Sequence, residues 1–246
     1  MRSRYPSSST LAYSFGPGPW TPAIRAIIIT NVVLFVATSR FFLPALKDPL
    51  WLSPQDVVHG QVWRLVTYMF LHEGPAHILF NMLFLWMFGV ELERMWGTRN
   101  FVKYYFVTGV AAAMTTVLVS FVPLSALQGL YFSAIVGASG AVVAVLLAYG
   151  VYFPHREIFI YGIFPIRAKY LLLILGAMSL FLGGNVAHWT HIGGALAGYV
   201  YLKGGRRIHL LSELKYRYLK WRINRMRRKF DVYSGGRADD VNRRVH

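Results

Sequence analysis

The chain contains no cysteine, which excludes disulfides, thiolate zinc sites, cysteine nucleophiles and iron–sulfur clusters together. Charge is scarce as well. Only 15% of the 246 residues are Asp, Glu, Lys or Arg, where a soluble domain carries roughly 25%. Acid is the scarcer half, with 10 Asp and Glu against 26 Lys and Arg. A chain that is 55% hydrophobic and this short of polar surface cannot cover itself in water. Its apolar residues fall in long runs, the pattern of a polytopic membrane protein.

Six apolar stretches can be drawn, at 23–44, 75–93, 101–123, 133–153, 168–184 and 186–203. Spans without strand alternation must be helices in lipid, so the expected fold class is all-α, a six-helix bundle. Lys and Arg set its orientation. The loop after span two holds Arg94, Arg99 and Lys103, and that after span four holds Arg156, Arg167 and Lys169. The loops after spans three and five hold none, which predicts both termini in the cytoplasm. Residues 1–22 are Ser-, Pro- and Gly-rich and are expected to be disordered. They lack the apolar core of a signal peptide; an organellar transit peptide is the minor alternative to a bacterial inner-membrane protein. The membrane domain is expected over 23–203 and a basic tail over 204–246. The long loop 45–74 is rich in aromatic and aliphatic residues, which predicts short helices lying in the interface.

Even-numbered spans run from outside to inside, so their N-terminal ends share one face. Span two opens with His77 and Asn81, span four with Gly137-Ala138-Ser139-Gly140, and span six with His188 and His191. At helical rise Ser139 and His191 would lie roughly 5–10 Å below the outer boundary. Taken singly, a membrane serine usually bonds its own helix backbone and a membrane histidine usually serves helix packing. Three helices carrying such groups to one depth form a set, and a nucleophile, a base and amide-type donors are the parts of an acyl-transfer site. His191, Gly194 and Gly198 lie along one stripe that another helix can approach closely. That favours His191 over His188 as the base only modestly. Gly137 and Gly140 flank Ser139 and permit such an approach. His77 and Asn81, four apart, share a face and can jointly offer donors to an oxyanion. A carboxylate to complete a triad is missing, and only Glu73, in the outer loop, could come near; a Ser–His dyad is expected, with no metal and no cofactor. Intramembrane metalloproteases need His-Glu-x-x-His and the aspartyl type two membrane Asp; neither occurs.

These residues resemble the rhomboid intramembrane serine proteases, in their six-helix bacterial form. The matching stretches are GQVWRLVTYMFLHEGPAHILFNMLFLWMFGVELERMWG (60–97), VGASGAVVA (136–144) and NVAHWTHIGGALAGY (185–199). The resemblance implies that Ser139 is the nucleophile and His191 the general base, and that His77, Asn81 and the Ser139 N–H form the oxyanion hole. It makes His72 a structural histidine, Trp63-Arg64 a loop signature, and Glu93 with Arg94 a charged pair closing span two. One departure is Val143, where the family often has an aromatic stacking on the imidazole. The resemblance further implies a water-filled, outward-open cavity and single-span membrane proteins as substrates. It also implies an entry gate formed by span five with the first loop, which Phe164, Tyr170, Phe181 and Trp189 could line.

Residues 203–246 hold 14 Lys and Arg against 4 acids. Ile208, Leu211, Leu214, Tyr218, Trp221 and Ile223 recur at near-helical spacing, so an interfacial helix on anionic headgroups is the first reading of the tail. No motif supports nucleic acid as a partner. Two competing functions are a catalytically inactive rhomboid-like protein that binds membrane helices, and a transporter using His72, His77, His188 and His191.

Overall fold

The computed structural model describes residues 16–127, 129–160, 164–171, 173 and 187–227. The chain divides into two compact units, 1–201 and 202–246.

Helix α1 (Pro22–Ala37) is sixteen residues of almost unbroken apolar sequence with Pro at its first position, where a missing N–H is no loss. It has no cap from its own N-cap residue, Thr21, and no acid in its first turn. The cap comes from another helix. Glu93, buried at 2% exposure, accepts the N–H groups of Ala23 at 2.9 Å and Ile24 at 3.0 Å, together with the hydroxyls of Thr21 and Thr98. A carboxylate at a helix N-terminus satisfies orphan donors and complements the helix dipole.

At its other end α1 stops at Ala37, short of the expected 44. Thr38 folds its hydroxyl back onto the Leu34 carbonyl at 2.8 Å, and the Leu43 N–H returns to the Ala37 carbonyl at 3.0 Å. Arg40 therefore lies outside the helix. The N-terminal side corrects the expected disorder at 16–21. Arg94 donates to the carbonyls of Pro17 and Pro19, and Trp86 to that of Gly18, so this strip lies along the end of the next long helix. Residues 1–15 lie outside the described residues.

The loop that follows α1 contains short helices: a 3-10 turn at Pro44–Lys47, α2 (Pro54–Val58), α3 (Arg64–Thr67) and a 3-10 turn at Tyr68–Phe70. Arg64 ties them together. Buried at 5% exposure, it donates to the carbonyls of Asp48 and Trp51 at 2.7 Å each and to Gln61 at 2.7 Å, and pairs with Asp56 at 3.2 Å. Trp63, half-exposed, adds one bond to the Pro49 carbonyl.

Helices α4 (Pro75–Trp96) and α5 (Thr98–Val119) are joined at Gly97, whose φ of +79° turns the chain. Both are long and apolar enough to cross a membrane. Helix α6 (Ser139–Tyr152) is apolar but only fourteen residues long, against an expected span over 133–153. Residues 133–138 are not helical: Ile135 pairs with Leu52 in a short bridge, and the Gly137 N–H bonds the Tyr68 carbonyl at 3.0 Å.

Helix α6 packs against α4 and α5 through small residues. Ala141, Ala144, Val145 and Ala148 are fully buried, and Tyr104 of α5 donates to the Ala144 carbonyl at 2.6 Å. An antiparallel pair, β1 (Glu157–Ile160) and β2 (Phe164–Arg167), follows. The fold is thus mostly helical rather than all-α, because β-branched and aromatic residues favour pleated pairing in this short stretch outside the helices. Span five falls almost wholly outside the described residues. Helix α7 (Ala187–Arg227) begins in the sixth apolar stretch.

Candidate active site

The N-termini of α4, α6 and α7 converge. Ser139 is the first residue of α6, so its own N–H and the next ones lack intrahelical partners and the positive end of the helix lies at the serine. His191, one turn into α7, brings its Nε2 to 2.8 Å from Ser139 Oγ. The backbones allow this because glycines meet where α6 and α7 cross. A Cβ at Gly194 would press on the Gly140 backbone, 2.8 Å from its carbonyl carbon and 3.1 Å from its Cα. A Cβ at Gly198 would stand 3.1 Å from Ala144 Cβ and 2.7 Å from the Tyr104 hydroxyl.

Helix α4 supplies the third wall. Gly137 has φ +124°, and a Cβ there would meet His77 Nε2 at 2.7 Å and Ser139 Oγ at 3.7 Å. The imidazole edge of His77 and the serine hydroxyl thus share the space above one glycine. Asn81, buried, donates one amide N–H to the His77 carbonyl at 2.9 Å, which fixes the side chain and leaves its amide a second donor hydrogen.

His72, fully buried in the loop, stacks edge-to-face on His77 with ring centroids 4.9 Å apart. Among the described residues neither ring nitrogen of His72 has a hydrogen-bond partner. Burial first, and then the neighbouring His77, push this imidazole down to about 3.

Of the remaining sequence-singled residues, His188 is half-buried one turn before His191, and Val143 is half-buried on α6. Glu93 and Arg94 stand side by side in the last turns of α4, where Glu93 caps α1 and Arg94 holds the 16–21 strip. Tyr170 is exposed and Trp189 half-buried, while Phe181 and the side chain of Phe164 lie outside the described residues. Glu73 is exposed. Among the described residues no group of three His, Asp or Glu could hold a metal ion.

Three residues that the sequence did not single out hold the site. Thr190 bonds Thr116 of α5 at 2.8 Å in a buried pair, the Tyr68 carbonyl fixes Gly137, and Gly193 lies against Thr115. The only sequence signal for Thr190 and Gly193 was their place beside His191 and Gly194.

Two helices long and apolar enough to cross a membrane, with polar groups gathered at helix ends, are the pattern of an integral membrane protein. The Rhomboid domain family model matches residues 59–207, and the chain belongs to the rhomboid family. It is 32% identical over 143 residues to the rhomboid protease GluP of Bacillus subtilis (strain 168), covering 58% of this chain and 26% of that protein. It is 29% identical over 156 residues to the mitochondrial rhomboid protein 1 of Saccharomyces cerevisiae, covering 61% and 43%. To the rhomboid protease GlpG of Salmonella paratyphi A it is 27% identical over 197 residues, covering 79% and 65%. The chain thus spans less than two thirds of the length of each of these relatives.

Proposed function

We propose that this protein is an intramembrane serine endopeptidase that cleaves transmembrane segments of single-span membrane proteins by a Ser–His dyad. The observation that carries the reading is the 2.8 Å approach of His191 Nε2 to Ser139 Oγ. In the reaction His191 Nε2 takes the hydroxyl proton as Ser139 Oγ bonds to the scissile carbonyl carbon. The carbonyl oxygen becomes an oxyanion facing the Ser139 N–H, His77 and the second N–H of Asn81. Donors fixed before charge develops are worth most, because nothing must reorient. His191 then passes its proton to the leaving amine as the C–N bond breaks. Water, deprotonated by the same imidazole, releases the acyl group and restores the serine.

Packing supports the orientation of the imidazole: Gly194 lies against Gly140, and Thr190 is tied to Thr116. Hydrolysis needs water at Ser139, hence an outward-open cavity within six spanning helices. The Lys and Arg pattern supports a bacterial inner-membrane protein with both termini in the cytoplasm.

The test uses the full-length chain in detergent, a serine-directed fluorophosphonate and a model single-span substrate. Labelling at Ser139 and cleavage within the substrate's helix are expected, both absent in Ser139→Ala. A chain that melts cooperatively yet neither labels nor cleaves would overturn the protease reading in favour of an inactive membrane-helix-binding protein.

A further inference from the structure

The second unit carries a feature that the proposed chemistry does not use. Between Lys203 and Arg227 the chain holds nine Lys and Arg and a single acid, Glu213, and α7 runs helical to Arg227. In a helix, positions 211, 214, 218 and 221 fall on one stripe, occupied by Leu, Leu, Tyr and Trp. Where side chains are described, the apolar groups are open to solvent: Tyr218 is 58% exposed, Leu219 42%, Trp221 56% and Ile223 49%. The Tyr218 and Trp221 rings neighbour one another with centroids 6.1 Å apart.

We infer that 203–227 is a docking helix for a bilayer rich in anionic phospholipid, in the leaflet at which span six ends. Tyr and Trp are the side chains that settle at the headgroup level. Lys and Arg lay their stems along apolar surface and raise their charges to the phosphates. An amphipathic helix combining both binds through buried apolar area and attraction to anionic lipid. Nucleic acid would engage the cations but leave Leu219, Trp221 and Ile223 facing water. The inference rests on the family's membrane placement and not on any role of Ser139 or His191.

The test places the full-length chain, tagged after His246, in nanodiscs of phosphatidylcholine alone or mixed equally with phosphatidylglycerol. Loss of the tag to proteinase K is followed. The anionic lipid should slow tail cleavage by about tenfold or more at low salt, and the protection should fade as ionic strength rises. Tyr218→Ser with Trp221→Ser, which leaves the charge unchanged, should lose most of the protection, as should Lys220→Gln with Arg222→Gln and Arg225→Gln. Melting temperature and fluorophosphonate labelling of each variant report whether the membrane domain is intact. Equal cleavage rates in the two nanodiscs would overturn the proposal. So would protection by duplex DNA or RNA exceeding that by anionic lipid, or full protection of the Tyr218/Trp221 variant.

Discussion

The crossing of α6 and α7 at Gly140 and Gly194 makes a sharp test of how far packing holds the proposed dyad together. In Gly194→Ala the new methyl meets backbone on the facing helix, which cannot swing aside as a side chain would. Its distance to the Gly140 carbonyl carbon is 2.8 Å, where ordinary contacts begin at 3.4 Å. Relief asks the helices to separate by at least about half an ångström. Gly140 directly follows Ser139, and Gly194 lies three residues after His191. An opening at this point therefore carries a 2.8 Å hydrogen bond to the edge of hydrogen-bonding range.

Overpacking of this kind costs about 1–3 kcal/mol of stability, and misplacement of reacting groups by about 1 Å can cost on the order of 100-fold in rate. We expect kcat/KM on a single-span substrate to fall about 10- to 100-fold, with fluorophosphonate labelling slowed in parallel and a lowered Tm in detergent. Gly198→Ala is the control. Its methyl meets the tip of Tyr104 and side-chain carbons of Ala144 and Leu147, more than a turn further from His191. It should destabilise while leaving more of the rate. A Gly194→Ala protein with wild-type kcat/KM and Tm, or one no slower than Gly198→Ala at equal stability, would refute the argument.

Three further outcomes are expected. Ser139→Ala and His191→Ala should each abolish cleavage while His188→Ala keeps most of it; a dead His188→Ala beside a live His191→Ala reverses the assignment of the base. Glu93→Gln places an amide NH2 against donors that a carboxylate oxygen now satisfies at the start of α1, and should lower stability by about 2 kcal/mol in thermal or denaturant unfolding; an unchanged melt would remove Glu93 as the cap. His72 is neutral in the fold, with its pKa pushed to about 3, while an unfolded histidine titrates near 6.5. Its contribution is therefore complete above about pH 6.5 and is lost on acidification below that, at up to about 1.4 kcal/mol per pH unit. Melting between pH 8 and pH 5 should show this loss, and His72→Leu should flatten it; equal slopes would exclude His72 as the source.

Much of the fold can be read from hydrophobic blocks, and the exceptions share a cause. Helices α4 and α5 lie where long apolar runs meet Pro75 and Gly97, signals local to the chain. Where hydropathy stays high through an irregular segment, the block overstates the helix. Residues 38–43 (TSRFFL) and 133–138 (SAIVGA) are apolar enough to read as span, yet Thr38 bonding back to Leu34 ends one helix, and pairing of Ile135 with Leu52 holds the other segment extended. The second of these is a contact across 83 positions of sequence, which composition cannot reveal. The ordering of 16–21 has the same character. Gly and Pro make that strip look unstructured, and N–H groups donated by Arg94 and Trp86 to its carbonyls hold it.

The candidate site's residues stand out in the sequence more than the fold around them, for a physical reason. A polar side chain in an apolar helix is conspicuous, and three at matching helix ends have few explanations besides chemistry. What the sequence obscured is the start of α6. Counting helical rise from residue 133 sinks Ser139 below the surface as a mid-helix residue, whereas it opens the helix. The change is chemical as well as geometric: a mid-helix serine would have its N–H tied to a carbonyl four residues back, and Ser139 as first residue has it unclaimed by the helix. Gly137 makes this arrangement possible, since its φ of +124° aims the chain into the helix and its missing Cβ leaves room for His77. One glycine thus governs both where α6 begins and how near α4 can bring a donor, and the proposed oxyanion site depends on both.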